Sequence, residues 1–169
     1  MNKNKKIYIA GSLFSEAEVT QRIKEGELLK EVGFENIYNP IQAPCNSKED
    51  LPTAEDIFWG DTKEVLESEI VVIDISNPLD AGVFCETGIA WACNYIHRLA
   101  NEGKNLDEVL NIMKEKRVVA HLSDIRKSTS HRYNGNHIPV GFNQFAVACI
   151  EDIGVIKDSF NEVLEELND

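Results

Sequence analysis

The chain lacks a surplus of positive charge: 17 Lys and Arg stand against 29 Asp and Glu, a formal net charge of −12. Gripping a phosphate backbone or an anionic bilayer needs a basic face, so neither nucleic acid nor membrane is an expected partner. Long apolar runs are also missing. No stretch approaches the roughly 20 residues that span a bilayer. The apolar segment Ile7–Ala10, behind a basic N-terminus, is too short for the core of a signal peptide, and the expected location is the cytoplasm. Cysteine is sparse, with Cys45, Cys85, Cys93 and Cys149 forming no CxxC pair. They read as reduced thiols, not as a disulfide framework or a zinc site. His97, His121, His131 and His137 form no HxH or HExxH, so no metal is expected. GxGxxG and GxxxxGK[ST] are both absent, which leaves a dinucleotide fold or a P-loop without support.

What is present is a chain of 169 residues, 43% hydrophobic and 27% charged, the length and balance of one soluble domain. Lys6–Ala10 reads as a strand ending at Gly11-Ser12. Ser15 and Glu18 have capping-box spacing and open a helix to Val32 with Val19, Ile23 and Leu29 on one side; Gly33 stops it. Glu35–Asn39 is a weak strand, and Ile41–Pro52 is a long loop. A helix runs from Thr53 to about Ser68. Ile70–Ile75 is a near-continuous β-branched run, the pattern of a parallel strand covered on both faces. After the turn-rich Ser76–Val83, a helix is expected from about Phe84 to Ala100, then a short amphipathic one over Leu106–Met113. Arg117–Leu122 is a fourth strand, 124–136 is polar, Phe142–Ile150 is apolar and of either type, and Asp158–Leu167 is a closing helix. Alternating strands and helices predict an α/β domain, a doubly wound parallel sheet with loops at the carboxyl ends of the strands carrying function.

Three carboxylates stand out. Ala54, Ile57, Phe58, Asp61 and Val65 share one helix face, which puts Asp61 in line with an apolar stripe. Desolvation there favours the protonated form, able to donate a proton at neutral pH; the alternative is a polar residue leaning to solvent. Asp80 lies in the loop after the β-branched run, and Glu86 in the first turn of the next helix, where the helix end favours an ionised acid. One ionised and one protonated carboxylate suit glycosyl chemistry; the alternatives are a turn residue and an ordinary first-turn acid. Gly11-Ser12 admits either a ligand close to the backbone or a plain tight turn. Cys85 reads as a small core residue.

The order Tyr8-Ile9-Ala10-Gly11-Ser12, Asp61, Ile70–Ser76, Asp80-Ala81-Gly82, Glu86-Thr87-Gly88-Ile89-Ala90 and Gly141-Phe142-Asn143 resembles the nucleoside 2-deoxyribosyltransferases, over about Lys6 to Ile150. The resemblance implies a single flavodoxin-like domain over 1–169 with about five parallel strands; the segment Ile96–Lys116 departs from the family by its length and adds a helical elaboration around 96–116. It implies Glu86 as the nucleophile that takes the deoxyribosyl group, Asp61 as the acid for the departing base, and Tyr8 as the residue orienting Glu86. Asp80, Asn143, Gly11, Ser12, Phe14 and Gly82 would surround the substrate. No cofactor is implied; the implied partners are 2′-deoxynucleosides, free nucleobases and further copies of the chain in a homo-oligomer with shared sites. The final segment Glu165–Asp169 departs from the family ending that reaches a neighbour's site. A related branch hydrolyses 2′-deoxynucleoside 5′-monophosphates, but residues 13–19 hold no Arg or Lys and Asp80 would repel a phosphate. A non-catalytic nucleotide-binding domain is the third reading.

Overall fold

A computed structural model of the chain describes residues 3–46, 52–122, 132–133, 136–137 and 143–168. Strand β1 (Ile7–Ala10) is its centre, with all four residues buried. It pairs in parallel with β2 (Ile37–Tyr38) on one side and β3 (Ile70–Ile73) on the other. Side chains alternate across this sheet. Ile7 and Ile9 pack with Phe34, Leu29, Ile70 and Val72 on one face. Tyr8 and Ala10 face the opposite layer with Val65, Val71 and Ile73. Each buried Ile contributes about 1.5–3 kcal/mol relative to exposure.

Helix α1 (Glu16–Glu31) carries the expected Ser15–Glu18 capping box. Its buried face, however, holds Arg22 and Gly26, while Ile23 is exposed. Arg22 explains the difference: its Nη2 donates to Asp74 Oδ2 at 2.5 Å and to Glu25 Oε1 at 2.7 Å, beneath the end of β1. A Cβ at Gly11 would stand 1.6 Å from Arg22 Nη1, so glycine is required where the first loop crosses the guanidinium. Two short 3-10 turns, Pro40–Gln42 and Pro44–Asn46, occupy the start of the expected loop.

Helix α2 (Ala54–Glu67) is capped by Thr53 with Asp56 and buries Ala54, Phe58, Asp61, Thr62 and Val65. Helix α3 (Ala81–Asn101) begins earlier than the sequence suggests, because Asp80 accepts a hydrogen bond from the Gly82 N–H as its N-cap. Helix α4 (Leu106–Ile112) follows with an Asn105–Glu108 capping box. Strand β4 (Val118–His121) pairs in parallel with β7 (Gly154–Lys157), reached through α5 (Gln144–Ile153), the helical form of the ambiguous apolar stretch. A two-residue antiparallel pair, β5 (Arg132–Tyr133) and β6 (Asn136–His137), precedes α5. Helix α6 (Phe160–Asn168) closes the described chain, with Glu166 accepting from Lys157 and Arg117. The rest of the polar 124–136 stretch, and Gly141 and Phe142, lie outside the described residues.

The five parallel strands divide into a three-stranded sheet, β2-β1-β3, and a two-stranded one, β4-β7. That is an α/β architecture consistent with a flavodoxin-like fold. The expected single sheet of about five strands is not formed among the described residues, since no ladder joins β3 to β4. Strand β3 is accordingly half-buried along its whole length rather than covered on both faces. Among the described residues, no helix is long and apolar enough to cross a membrane.

Candidate active site

The chain runs from β1 out to β2 and crosses back to β3 on the far side of β1. That reversal opens a crevice at the carboxyl ends of β1 and β3. A cavity of about 460 Å³ lies there, lined by the loop after β1, the turn at Pro40-Ile41, and residues of α2, α3 and α5. Glu86, Asp61 and Asp80 all reach it, with Gly11, Phe14, Gly82 and Asn143. Tyr8 stands behind the wall, fully buried, and donates its O–H to Glu86 Oε1 at 2.5 Å. Ser12 does not line this cavity. It is buried beside a separate depression of about 240 Å³ with Glu18, Asp74 and Asn77, and its Oγ accepts from Asn77 Nδ2 at 3.2 Å.

Glu86 sits in the second turn of α3, not the first, because the helix starts at Ala81. Burial dominates its electrostatics. With 7% of its surface exposed, desolvation pushes its carboxyl up to about 8; the Asp61 and Asp80 charges add to this, and the Tyr8 hydrogen bond works against it. The helix-end field expected to keep Glu86 ionised is thus outweighed, since that field fades within one turn while burial of a charge shifts a carboxyl by several units. Tyr8 itself is held protonated by burial and by the facing Glu86 and Asp61 carboxylates, which makes it a fixed donor.

Asp61 is 4% exposed, on the apolar face of α2 as its spacing predicts. Its Oδ1 accepts from Tyr38 Oη at 2.9 Å and from Cys45 Sγ at 3.7 Å. Tyr38 is a site residue that the sequence reading missed, although a tyrosine closing a short strand before Pro40 was the available signal. Asp80 is raised by burial, with the Val83 and Gly82 N–H groups opposing. Asn143 Nδ2 donates to Asp80 Oδ1 at 3.2 Å, while Asn143 caps α5 by accepting from the Ala146 N–H. A Cβ at Gly82 would lie 2.9 Å from Asn143 Nδ2, so glycine lets α5 close on the start of α3. Cys85 packs with Cys149 on the apolar layer of Phe58 and Phe145, as a core residue.

A larger hollow of about 560 Å³ lies between α2, α5 and β7. Of its three acids, Glu55 and Asp152 are exposed and Glu151 is half-buried, so solvent screens them and size does not make it the reactive site. Desolvated carboxylates with specific partners in a cleft are the physical mark of chemistry, and they gather only in the smaller cavity among the described residues.

Clustered buried acids at a topological switch point are a recurring feature of α/β enzymes that act on small molecules. The chain belongs to the nucleoside 2-deoxyribosyltransferase family, whose model matches residues 7–154. An uncharacterized protein of Ureaplasma parvum serovar 3 is 30% identical over 96 residues, which span 52% of this chain and 60% of that protein. A solved structure of a conserved protein from Enterococcus faecalis V583 aligns over 98% of both chains with 25% identity and a TM-score of 0.48.

Proposed function

We propose that the chain transfers the 2-deoxyribosyl group from a 2′-deoxynucleoside to a second nucleobase, through a deoxyribosyl ester on Glu86 and with retention at the anomeric carbon. The observation that carries this reading is the buried Tyr8–Glu86 hydrogen bond in one cavity with Asp61. Ionised Glu86 attacks C1′; the C–N electrons leave with the base, and Asp61 delivers its proton to that base. The acceptor base then displaces Glu86 from C1′ and returns its proton to Asp61. Asp80, steadied by Asn143, faces the sugar, and Gly11, Phe14 and Gly82 shape the walls. Ser12, in the neighbouring depression, is given no direct contact with the sugar in this reading. Such chemistry needs no cofactor, because Glu86 supplies the covalent step. The reading places a soluble homo-oligomer in the cytoplasm, and the half-exposed Phe84 and Trp91 of α3, seven residues apart on one face, offer an apolar surface for copies to meet.

Transfer is favoured over hydrolysis of a 5′-monophosphate by the charges near the first loop. Glu18 is held down at about 2 by hydrogen bonds from Ser12 and Ser15, and Arg22 is already paired with Glu25 and Asp74. A phosphate there would meet carboxylates. Thymidine alone should therefore release thymine slowly, and added adenine should accelerate release because the intermediate waits for a nucleophile. Faster turnover of thymidine 5′-monophosphate than of thymidine would instead establish the hydrolase.

The pH dependence follows from Glu86. Its nucleophilic form is the ionised one, so kcat/KM for base release should rise with pH along a limb near 8. Tyr8 favours the ionised form, so Tyr8→Phe should move that limb to higher pH. A limb unmoved by Tyr8→Phe would show that Glu86 does not govern it.

A further inference from the structure

Two tyrosines divide the polar work of the cavity. Tyr8 and Tyr38 occupy paired positions of β1 and β2, so their side chains share one face of the sheet. Their rings stack with centroids 5.5 Å apart and 14° between planes. Tyr8 donates to Glu86, whereas Tyr38 donates to Asp61 Oδ1 at 2.9 Å. Cys45 Sγ lies 3.5 Å from Tyr38 Oη and donates to the same Oδ1 at 3.7 Å.

We infer that Tyr38, with Cys45 beside it, is a positioning residue for Asp61: its hydroxyl donates to Oδ1, holds the carboxyl in place and stabilises the negative charge left on it when the proton departs. The inference rests on the proposed role of Asp61 as the acid. A neutral carboxyl carries its proton on one oxygen, and the other is the acceptor. As the proton passes to the departing base, Asp61 becomes a carboxylate, and the Tyr38 bond becomes charge-assisted, roughly twice as strong. The gain comes only as the C1′–N bond breaks, so it lowers the barrier without tightening substrate binding. Burial and the neighbouring Cys45 and Asp61 keep the Tyr38 hydroxyl protonated. Tyr38 therefore donates a hydrogen bond and takes no part as an acid.

The test uses a matched pair, 2′-deoxyguanosine and its N7-methylated form, whose cationic base leaves without a proton. Tyr38→Phe keeps the ring stack and removes the donor. It should lower kcat for 2′-deoxyguanosine about 5–15-fold, the gain when a neutral hydrogen bond becomes charge-assisted, with KM changed by less than about 2-fold, while the methylated substrate slows by less than about 3-fold. Cys45→Ala should show the same selectivity at smaller size, about 2–5-fold for the weaker sulfur donor. In an Asp61→Asn background, Tyr38→Phe should add nothing, because both changes act through one group. Equal slowing of both substrates by Tyr38→Phe, or an undiminished effect in the Asp61→Asn background, would overturn the inference. If Asp61→Asn itself fails to distinguish the pair, the proposed role of Asp61 falls, and this inference with it. If Asp61→Asn distinguishes them and Tyr38→Phe does not, this inference alone falls.

Discussion

Glu86→Gln should leave the chain folded and remove transfer almost entirely, by about 10⁴-fold or more, as expected when the nucleophile of a covalent mechanism is lost. Glutamine has the same shape and can still accept from the Tyr8 hydroxyl, but an amide forms no glycosyl ester. The same variant should change stability in a direction set by burial. The Glu86 carboxyl is raised from 4.5 to about 8, so between those values the folded state binds more protons than the unfolded state. Stability therefore falls as pH rises through that window. Glu86→Gln escapes this loss. Its melting temperature should match the wild type at pH 5 and exceed it at pH 8.5, at about 2–4 °C per kcal/mol for a domain of this size. Wild-type transfer rates in the variant would refute the covalent role, and a lower melting temperature at pH 8.5 would refute the burial argument.

Asp61→Asn carries the second large effect. General acid catalysis is worth about 10²–10⁴-fold, and release of guanine from 2′-deoxyguanosine should slow by that factor. The N7-methylated nucleoside should be nearly unaffected, because its base departs neutral. An equal loss on both would make Asp61 a residue that binds sugar or supports the fold. A large fall in melting temperature would support the latter, since Asp61 is buried among Tyr38, Cys45 and the apolar face of α2.

Much of this site can be read from local pattern. Asp61 is found by helical spacing alone, because the stripe from Ala54 to Val65 is continuous and its burial follows from period. Ser15–Glu18 and Thr53–Asp56 announce two helix starts through capping chemistry that needs no tertiary context. Glu86 is placed on the right helix, but its turn and its charge state are not legible. Asp80 starts α3 earlier than the apolar pattern does, and desolvation depends on what packs over Glu86 from β1 and α2. Arg22 is hidden for a related reason: a buried arginine on α1 makes sense only once Asp74 and the Ala10 carbonyl stand beside it, 52 and 12 residues away in sequence. Tyr38 is invisible because its role comes from register, the pairing that brings it against Tyr8. Strand β7 lies in a stretch of four residues after a helix, too short for period to assign. The division of the strands into three plus two reflects hydrogen bonding between segments far apart in the chain, which a single sequence does not encode locally.

The measurement that tests the central claim most directly is base exchange between thymidine and adenine, followed by chromatography of the products. The account predicts 2′-deoxyadenosine of retained β configuration and free thymine in equal amounts, absent with Glu86→Gln. Free deoxyribose and thymine without any 2′-deoxyadenosine, or exchange that survives Glu86→Gln, would contradict it.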